Sequence, residues 1–200
     1  MMYPRTTENG KLVDDTQMVG AGEHLRGKRI LNISGAITSE IDIPTILFAF
    51  DSISNDSMKL VISSPGGDLD SAFLIYDTIK LLESPVITLG RFCASAAVLL
   101  LAAGKERYLM PHAKVMLHLH SNYFAKDTSI PVQDMEIIQR ESKKYKDKMI
   151  DILIECGVKR NRKELLRDID RDFWLDPHEA IEYGLADKII DKKTMGEWLK

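Results

Sequence analysis

The sequence predicts an α/β fold whose strands are covered on both faces. Two observations carry this. From about residue 28 onward, short apolar runs alternate with stretches of helical period. One run, "MKLVISS" at 58–64, is largely apolar rather than alternating, as expected of a strand sandwiched between layers. A third observation adds a long amphipathic helix at 131–155, with a charged face opposite its apolar stripe.

The elements follow in order. Residues 1–27 are polar and glycine-containing and read as a flexible arm ahead of a single domain spanning 28–200. "RILNIS" (29–34) is β-like. "SEIDIPTILFAFDSIS" (39–54) is helical from about Pro44, since proline suits a first turn. "MKLVISS" ends in the breaker "PGG". Beyond it Phe73, Ile75, Tyr76, Ile79 and Leu82 fall near helical spacing, with Asp68 available as N-cap. "PVITLG" (85–90) is the next strand, and "ASAAVLLLAAG" (94–104) a buried helix ending on Gly104. "RYLM" (107–110) and "KVMLHLH" (114–120) read as two further strands. In the long helix Met135, Ile138, Tyr145, Met149 and Ile152 form the stripe. "RKELLRDID" and "DPHEAIEYG" predict two short helices, and "LADKII" a last strand.

Composition narrows the function. The 200 residues are 44% hydrophobic and 28% charged, ordinary for a globular chain able to close one core. A net charge of −3 gives no reason to expect nucleic acid or an anionic membrane as partner. Cys93 and Cys156 are too few for a disulfide framework. The longest apolar run, 94–103, is far short of a membrane span, and the amino-terminal stretch lacks the apolar core of a signal peptide. A cytoplasmic protein is expected.

Three places could hold chemistry. "SSPGGDLDS" (63–71) puts a proline and two glycines between a strand and a helix, exposing backbone N–H groups suited to an anion or oxyanion. A plain strand-to-helix turn explains it as well. "GRFCASAAVLLLAAG" (90–104) places Ser95 at the start of a helix among small neighbours, where the Ala96 amide could join that of Gly67 around an oxyanion. Capping a core helix is the commoner job for such a serine. The third place combines His118 and His120 with the acidic stretch "RDIDRDFWLD". A serine nucleophile needs a base within hydrogen-bond reach, and the base needs an orienting acceptor. A strand histidine and an aspartate beside a buried aromatic pair, Phe173 and Trp174, could supply both. Patterning alone leaves Asp168, Asp170, Asp172 and Asp176 open. The His-x-His pair could also ligate a metal, but His24, His112 and His178 add no recognised third-ligand spacing. No metal is expected.

These segments, taken in order, resemble the Clp protease proteolytic subunit, the serine peptidase that forms barrels under AAA+ unfoldases. The likeness runs from about residue 28 to 190, through "ISSPGGDLDSAFLIYDTIK", "CASAAVLLLAAG", "YLMPHAKVMLHLH" and "DRDFWLDPHEAIEYGLADKII". It implies the Clp protease/crotonase-like α/β fold of repeated β-β-α units, with a protruding "handle" at about 121–156. It also implies Ser95 as nucleophile, His118 as base, Asp172 as its orienting acid, and the Gly67 and Ala96 amides as oxyanion donors. No cofactor is implied for this chain, because ATP would be consumed by the partner unfoldase. The implied partners are polypeptide substrates, an AAA+ unfoldase and further copies of the chain in a heptameric ring, single or stacked as a tetradecamer.

The sequence departs from the family pattern in several places. Arg91 and Phe92 are bulky before the nucleophile, and the segment after His118 lacks the family's proline and glycine-rich strand, with His120 at the proline's position. A divergent paralogue or a phage-encoded relative fits these differences. A capsid-maturation protease of the same fold, a non-catalytic ring subunit and a crotonase-like acyl-CoA enzyme are the alternatives.

Overall fold

The computed structural model describes residues 5–6, 12–13, 29–40, 42–119 and 131–198. Of the expected arm, the described part is a short antiparallel pair, β1 (Arg5–Thr6) with β2 (Leu12–Val13). The main sheet runs β3 (Ile30–Ser34), β4 (Met58–Ser64), β5 (Val86–Ala94), β6 (Glu106–Leu117), with each neighbour parallel. The connections between these strands are the helices α1 (Ile43–Asp51), α2 (Leu69–Leu81) and α3 (Ala97–Ala103). This is the strand–helix alternation that a buried parallel sheet requires. After α4 (Val132–Glu155) and α5 (Arg162–Asp168), β7 (Phe173–Leu175) pairs antiparallel with the end of β6. Then come α6 (Pro177–Tyr183), β8 (Lys188–Ile189) parallel to the start of β6, and α7 (Lys192–Trp198).

Local chemistry places the boundaries. Asp42 and Asp68 cap α1 and α2 by accepting from Thr45 N and Ser71 N. Asn161–Glu164 and Asp176–Glu179 close reciprocal capping boxes on α5 and α6. Gly184, at φ 94°, ends α6 in the left-handed conformation that glycine tolerates.

Period-two alternation along the strands splits the core. Leu31, Ile33, Leu60, Ile62, Val115 and Leu117 join the helices in the main cluster, in which all seven residues of α3 are buried. Ile30, Leu89, Tyr108 and Ile190 form a second cluster on the other face, covered by Trp198 of α7. No helix was expected at 192–198.

Two strand expectations are corrected. "RYLM" and "KVMLHLH" form one strand, β6, interrupted at its pairing rather than along its chain. The β5–β6 register jumps from Gly90↔Leu109 to Phe92↔Lys114, so Pro111 lies where β5 offers no ladder partner and its missing N–H costs nothing. Likewise β5 continues past Gly90 to Ala94.

The long helix is present, and its two ends differ. Met149, Ile150, Ile152 and Leu153 are buried, whereas no described residue of 131–148 is, and Ile137 is 48% exposed. Midway, Tyr145 stacks on Phe73 of α2 with ring centroids 6.0 Å apart, and its hydroxyl donates to Asp70 at 2.6 Å. At the carboxyl end, Arg107 on β6 donates to the carbonyls of Cys156 and Gly184, both at 2.8 Å, while also pairing with Asp187. Among the described residues no helix is long and apolar enough to cross a membrane.

Candidate active site

Ser95 sits in the turn between β5 and α3 with φ 55°, a left-handed conformation disfavoured for a non-glycine residue. Two backbone bonds hold it there. Its N–H donates to Met116 O on β6 at 2.8 Å, and its carbonyl accepts from Val98 N at 3.0 Å. The hydroxyl does not cap α3, whose N-cap is Ala96 with no side-chain cap. It lies instead 2.8 Å from Nε2 of His118.

His118 is the first residue beyond β6, and Asp172 the last before β7. The antiparallel register Met116↔Trp174, Leu117↔Phe173 makes His118 and Asp172 the next cross-strand pair. Asp172 Oδ1 accordingly lies 3.1 Å from His118 Nδ1. Leu119 N donates to Ile169 O at 3.0 Å, drawing the approach to Asp172 against the exit of β6. The imidazole is largely covered, at 27% side-chain exposure, and the carboxylate is open at 60%.

The other aspartates do other jobs. Asp168 takes the Tyr183 hydroxyl and ion-pairs with Arg160 and Arg167. Asp176 caps α6. The expected buried aromatic pair is corrected: Phe173 faces the main core, but Trp174 is 49% exposed, because alternation along β7 turns it outward. It packs at 6.3 Å on Phe92, the bulky residue ahead of the nucleophile.

The proline–glycine turn meets the serine turn at contact distance. A Cβ on Gly66 would lie 2.6 Å from Ala94 O, 2.8 Å from Ser95 Cβ and 2.9 Å from Ala96 N, so only glycine fits. On its far side Gly67 is bridged to Ile37, whose N–H donates to Gly66 O and whose carbonyl accepts from Asp68 N. Neither the Gly67 nor the Ala96 N–H has an acceptor among the described residues. The structure thus gathers Ser95, His118, Asp172, Gly67 and Ala96 in one corner. The capture of Ser95 by Met116 O and the clamp on Gly67 by Ile37 are backbone contacts between distant segments, and no side-chain pattern signals them. His120 lies outside the described residues.

Both imidazole nitrogens of His118 are engaged by protein groups, and among the described residues no three metal-ligating side chains gather. The constellation is that of acyl transfer through a serine.

The Clp protease family model matches residues 14–193. The chain belongs to the Clp protease family. It is a serine-type peptidase of the Clp kind. It is 34% identical to ATP-dependent Clp protease proteolytic subunit 1 of Rhodopirellula baltica, over 84% of this chain and 75% of that one. It is 38% identical to proteolytic subunit 1 of Chlamydia muridarum, over 65% of this chain and 68% of the relative. It is 32% identical to proteolytic subunit 2 of Pseudomonas aeruginosa, over 79% of each. Membership in the Clp protease family accords with the α/β sheet and the projecting helix. It also sets the chain among subunits of ring assemblies that work with an unfoldase.

Proposed function

We propose that this chain is a serine endopeptidase that cuts unfolded polypeptides inside a Clp-type ring, with Ser95, His118 and Asp172 as its triad. One observation carries the reading: a single imidazole bridges Ser95 Oγ at 2.8 Å and Asp172 Oδ1 at 3.1 Å. Asp172 accepts from Nδ1–H, which leaves Nε2 as the acceptor facing the hydroxyl. Ser95 Oγ attacks the scissile carbonyl carbon as its proton passes to Nε2. The carbonyl oxygen becomes an oxyanion held by the Gly67 and Ala96 N–H groups. His118 then protonates the departing amine, and the peptide C–N bond breaks to leave an acyl-enzyme. Water, deprotonated by the same nitrogen, adds to the ester and releases the acid. No step calls on a metal or cofactor of this chain, and ATP is spent by an AAA+ unfoldase.

The unburied half of α4 supports assembly, because Met135 and Ile137 are large apolar side chains left 39% and 48% exposed. A heptameric ring, single or stacked as a tetradecamer, in the cytoplasm completes the proposal. A fluorophosphonate probe is expected to label the wild type and not Ser95→Ala. Hydrolysis of an unstructured fluorogenic peptide should fall by about 10⁴-fold or more in that variant. Labelling that persists in Ser95→Ala would refute the nucleophile, and light scattering on the same sample reads the ring.

A further inference from the structure

Oxyanion stabilisation depends on aim, because a donor helps only if its N–H points where the charge develops. In the turn 65–68 every backbone donor but one has a fixed destination. Pro65 has none to place. Gly66 N–H donates to the Ser64 hydroxyl oxygen at 3.0 Å, and Asp68 N–H to Ile37 O at 2.9 Å. Only the Gly67 N–H remains. Ser64 is fully buried, at 0% exposure, and stands opposite Cys93 in the β4–β5 register, behind the nucleophile turn. Gly66 and Gly67 have φ 92° and 148°; the peptide between them is held at its carbonyl, where Gly66 O accepts from Ile37 N–H at 2.8 Å, and Ser64 fixes the peptide plane before it.

From this we infer that Ser64 is a positioning residue: its buried hydroxyl captures the Gly66 N–H and thereby aims the neighbouring Gly67 N–H at the oxyanion. It rests on the proposed roles of Ser95 and Gly67 and adds to them the side chain that sets the turn. Without the Ser64 oxygen, the Gly66 N–H is a buried donor with no acceptor, and its peptide plane turns to find one. That turn pulls on the next plane through the Gly66 Cα and works against the Ile37 N–H bond to Gly66 O, so the Gly67 N–H keeps only part of its aim. The loss falls on the transition state, where the oxyanion exists, and spares the ground-state complex.

The test uses the full-length assembled protein with Ser64→Ala and Ser64→Cys. The cysteine keeps the branching of the side chain, slightly enlarged, with a weaker acceptor. Two probes are compared: a fluorogenic peptide and a peptide boronic acid. The boron of the latter takes the Ser95 oxygen, giving a tetrahedral adduct that presents an oxyanion-like hydroxyl. For Ser64→Ala, kcat should fall about ten- to a hundredfold, less than the loss of a whole oxyanion donor. The boronate inhibition constant should rise by the same factor, and KM should stay within about twofold. Ser64→Cys should lie between wild type and alanine on both readouts. Wild-type kcat and boronate affinity in Ser64→Ala would overturn the inference. So would a raised KM with unchanged boronate affinity, the mark of a general packing defect. Should Ser64→Ala not fold, the cysteine variant decides by the same ratio. Boronate binding that survives Ser95→Ala overturns the nucleophile assignment and this inference together. A normal boronate response in the wild type that Ser64→Ala leaves unchanged overturns this inference alone.

Discussion

The corner around Ser95 and the amino-terminal half of α4 sit at opposite extremes of determination. At the corner the turns are held by specific backbone bonds. Ser95 is held by Met116 and Val98, Gly66 by Ser64, and Gly67 by the bridge to Ile37. Along 131–148 no described residue is buried, and side-chain ties to the body include those of Tyr145, Asp147 and Lys148. The Ser95–His118–Asp172 hydrogen bonds close within one chain, whereas the first half of the helix has no buried residue among those described. Strain such as a left-handed serine persists only where the surroundings over-determine it, so the difference follows from the needs of catalysis.

Four experiments would break or sharpen this contrast. Asp172→Asn should strike the corner alone, lowering kcat on a fluorogenic peptide roughly 10²- to 10³-fold without changing particle size. The loss should be smaller than for a buried triad aspartate, because this carboxylate is 60% exposed and screened by water. Leu153→Ala, at the anchored end of α4, should cost about 2–5 kcal/mol by denaturant unfolding, since it empties a fully buried site. Ile137→Ala on the same helix should move chain stability by no more than about 0.5 kcal/mol. Its effect should appear instead as smaller particles in light scattering. Equal losses for the two variants would erase the distinction between the ends.

Tyr145→Phe keeps the stack on Phe73 and removes the bond to Asp70, at a cost of about 0.5 kcal/mol for so exposed a pair. The Asp70 bond pushes the Tyr145 phenol up to about 12. A raised acid favours folding below its unfolded value near 10, so that contribution should fade as pH rises from about 10 toward 12. Phenolate absorbance of the wild type against Asp70→Asn reads the shift directly. The smallest effect concerns the anchor at the carboxyl end of α4. Burial alone would raise the Asp187 carboxyl, but hydrogen bonds from Arg107 outweigh it and hold it below the usual range. Its stabilisation is full above an ordinary aspartate value of about 3.9 and is lost as pH falls through the lowered one. Asp187→Asn should therefore lower Tm modestly at neutral pH and flatten its fall along the acid limb, so that the two curves converge at low pH.

Much of this was legible from residue order. The alternation of strand and helix, the Asp68 cap, the buried α3 and the long helix all follow from local periodicity and capping chemistry. Family motifs pointed to Ser95, His118 and Asp172. Patterning alone could not separate Asp172 from its three acidic neighbours, because that choice is made by the β6–β7 register, a contact between segments far apart in sequence. The strands expected at 107–110 and 114–120 join in β6, and the break between them lies in the pairing. Trp174 looked buried by its type, yet strand alternation turns it outward. Helix α7 escaped notice because Trp198 is held by a sheet face that forms only when the chain folds.

The antiparallel register of β6 and β7 has a further consequence. His118 and Asp172 are partners across a ladder, so their spacing is set by the sheet and is indifferent to the length of chain between them. The unburied first half of α4 can be rewritten as long as Leu117 still meets Phe173, whereas Leu153, Leu165 and Ile169 in the same excursion from 119 to 171 belong to the core. A one-residue slip of β7 would instead turn Asp172 toward the main core, away from His118, and disable the site at once. Evolution is thus free to remodel the outer half of this molecule for new associates while the cutting edge stays in place.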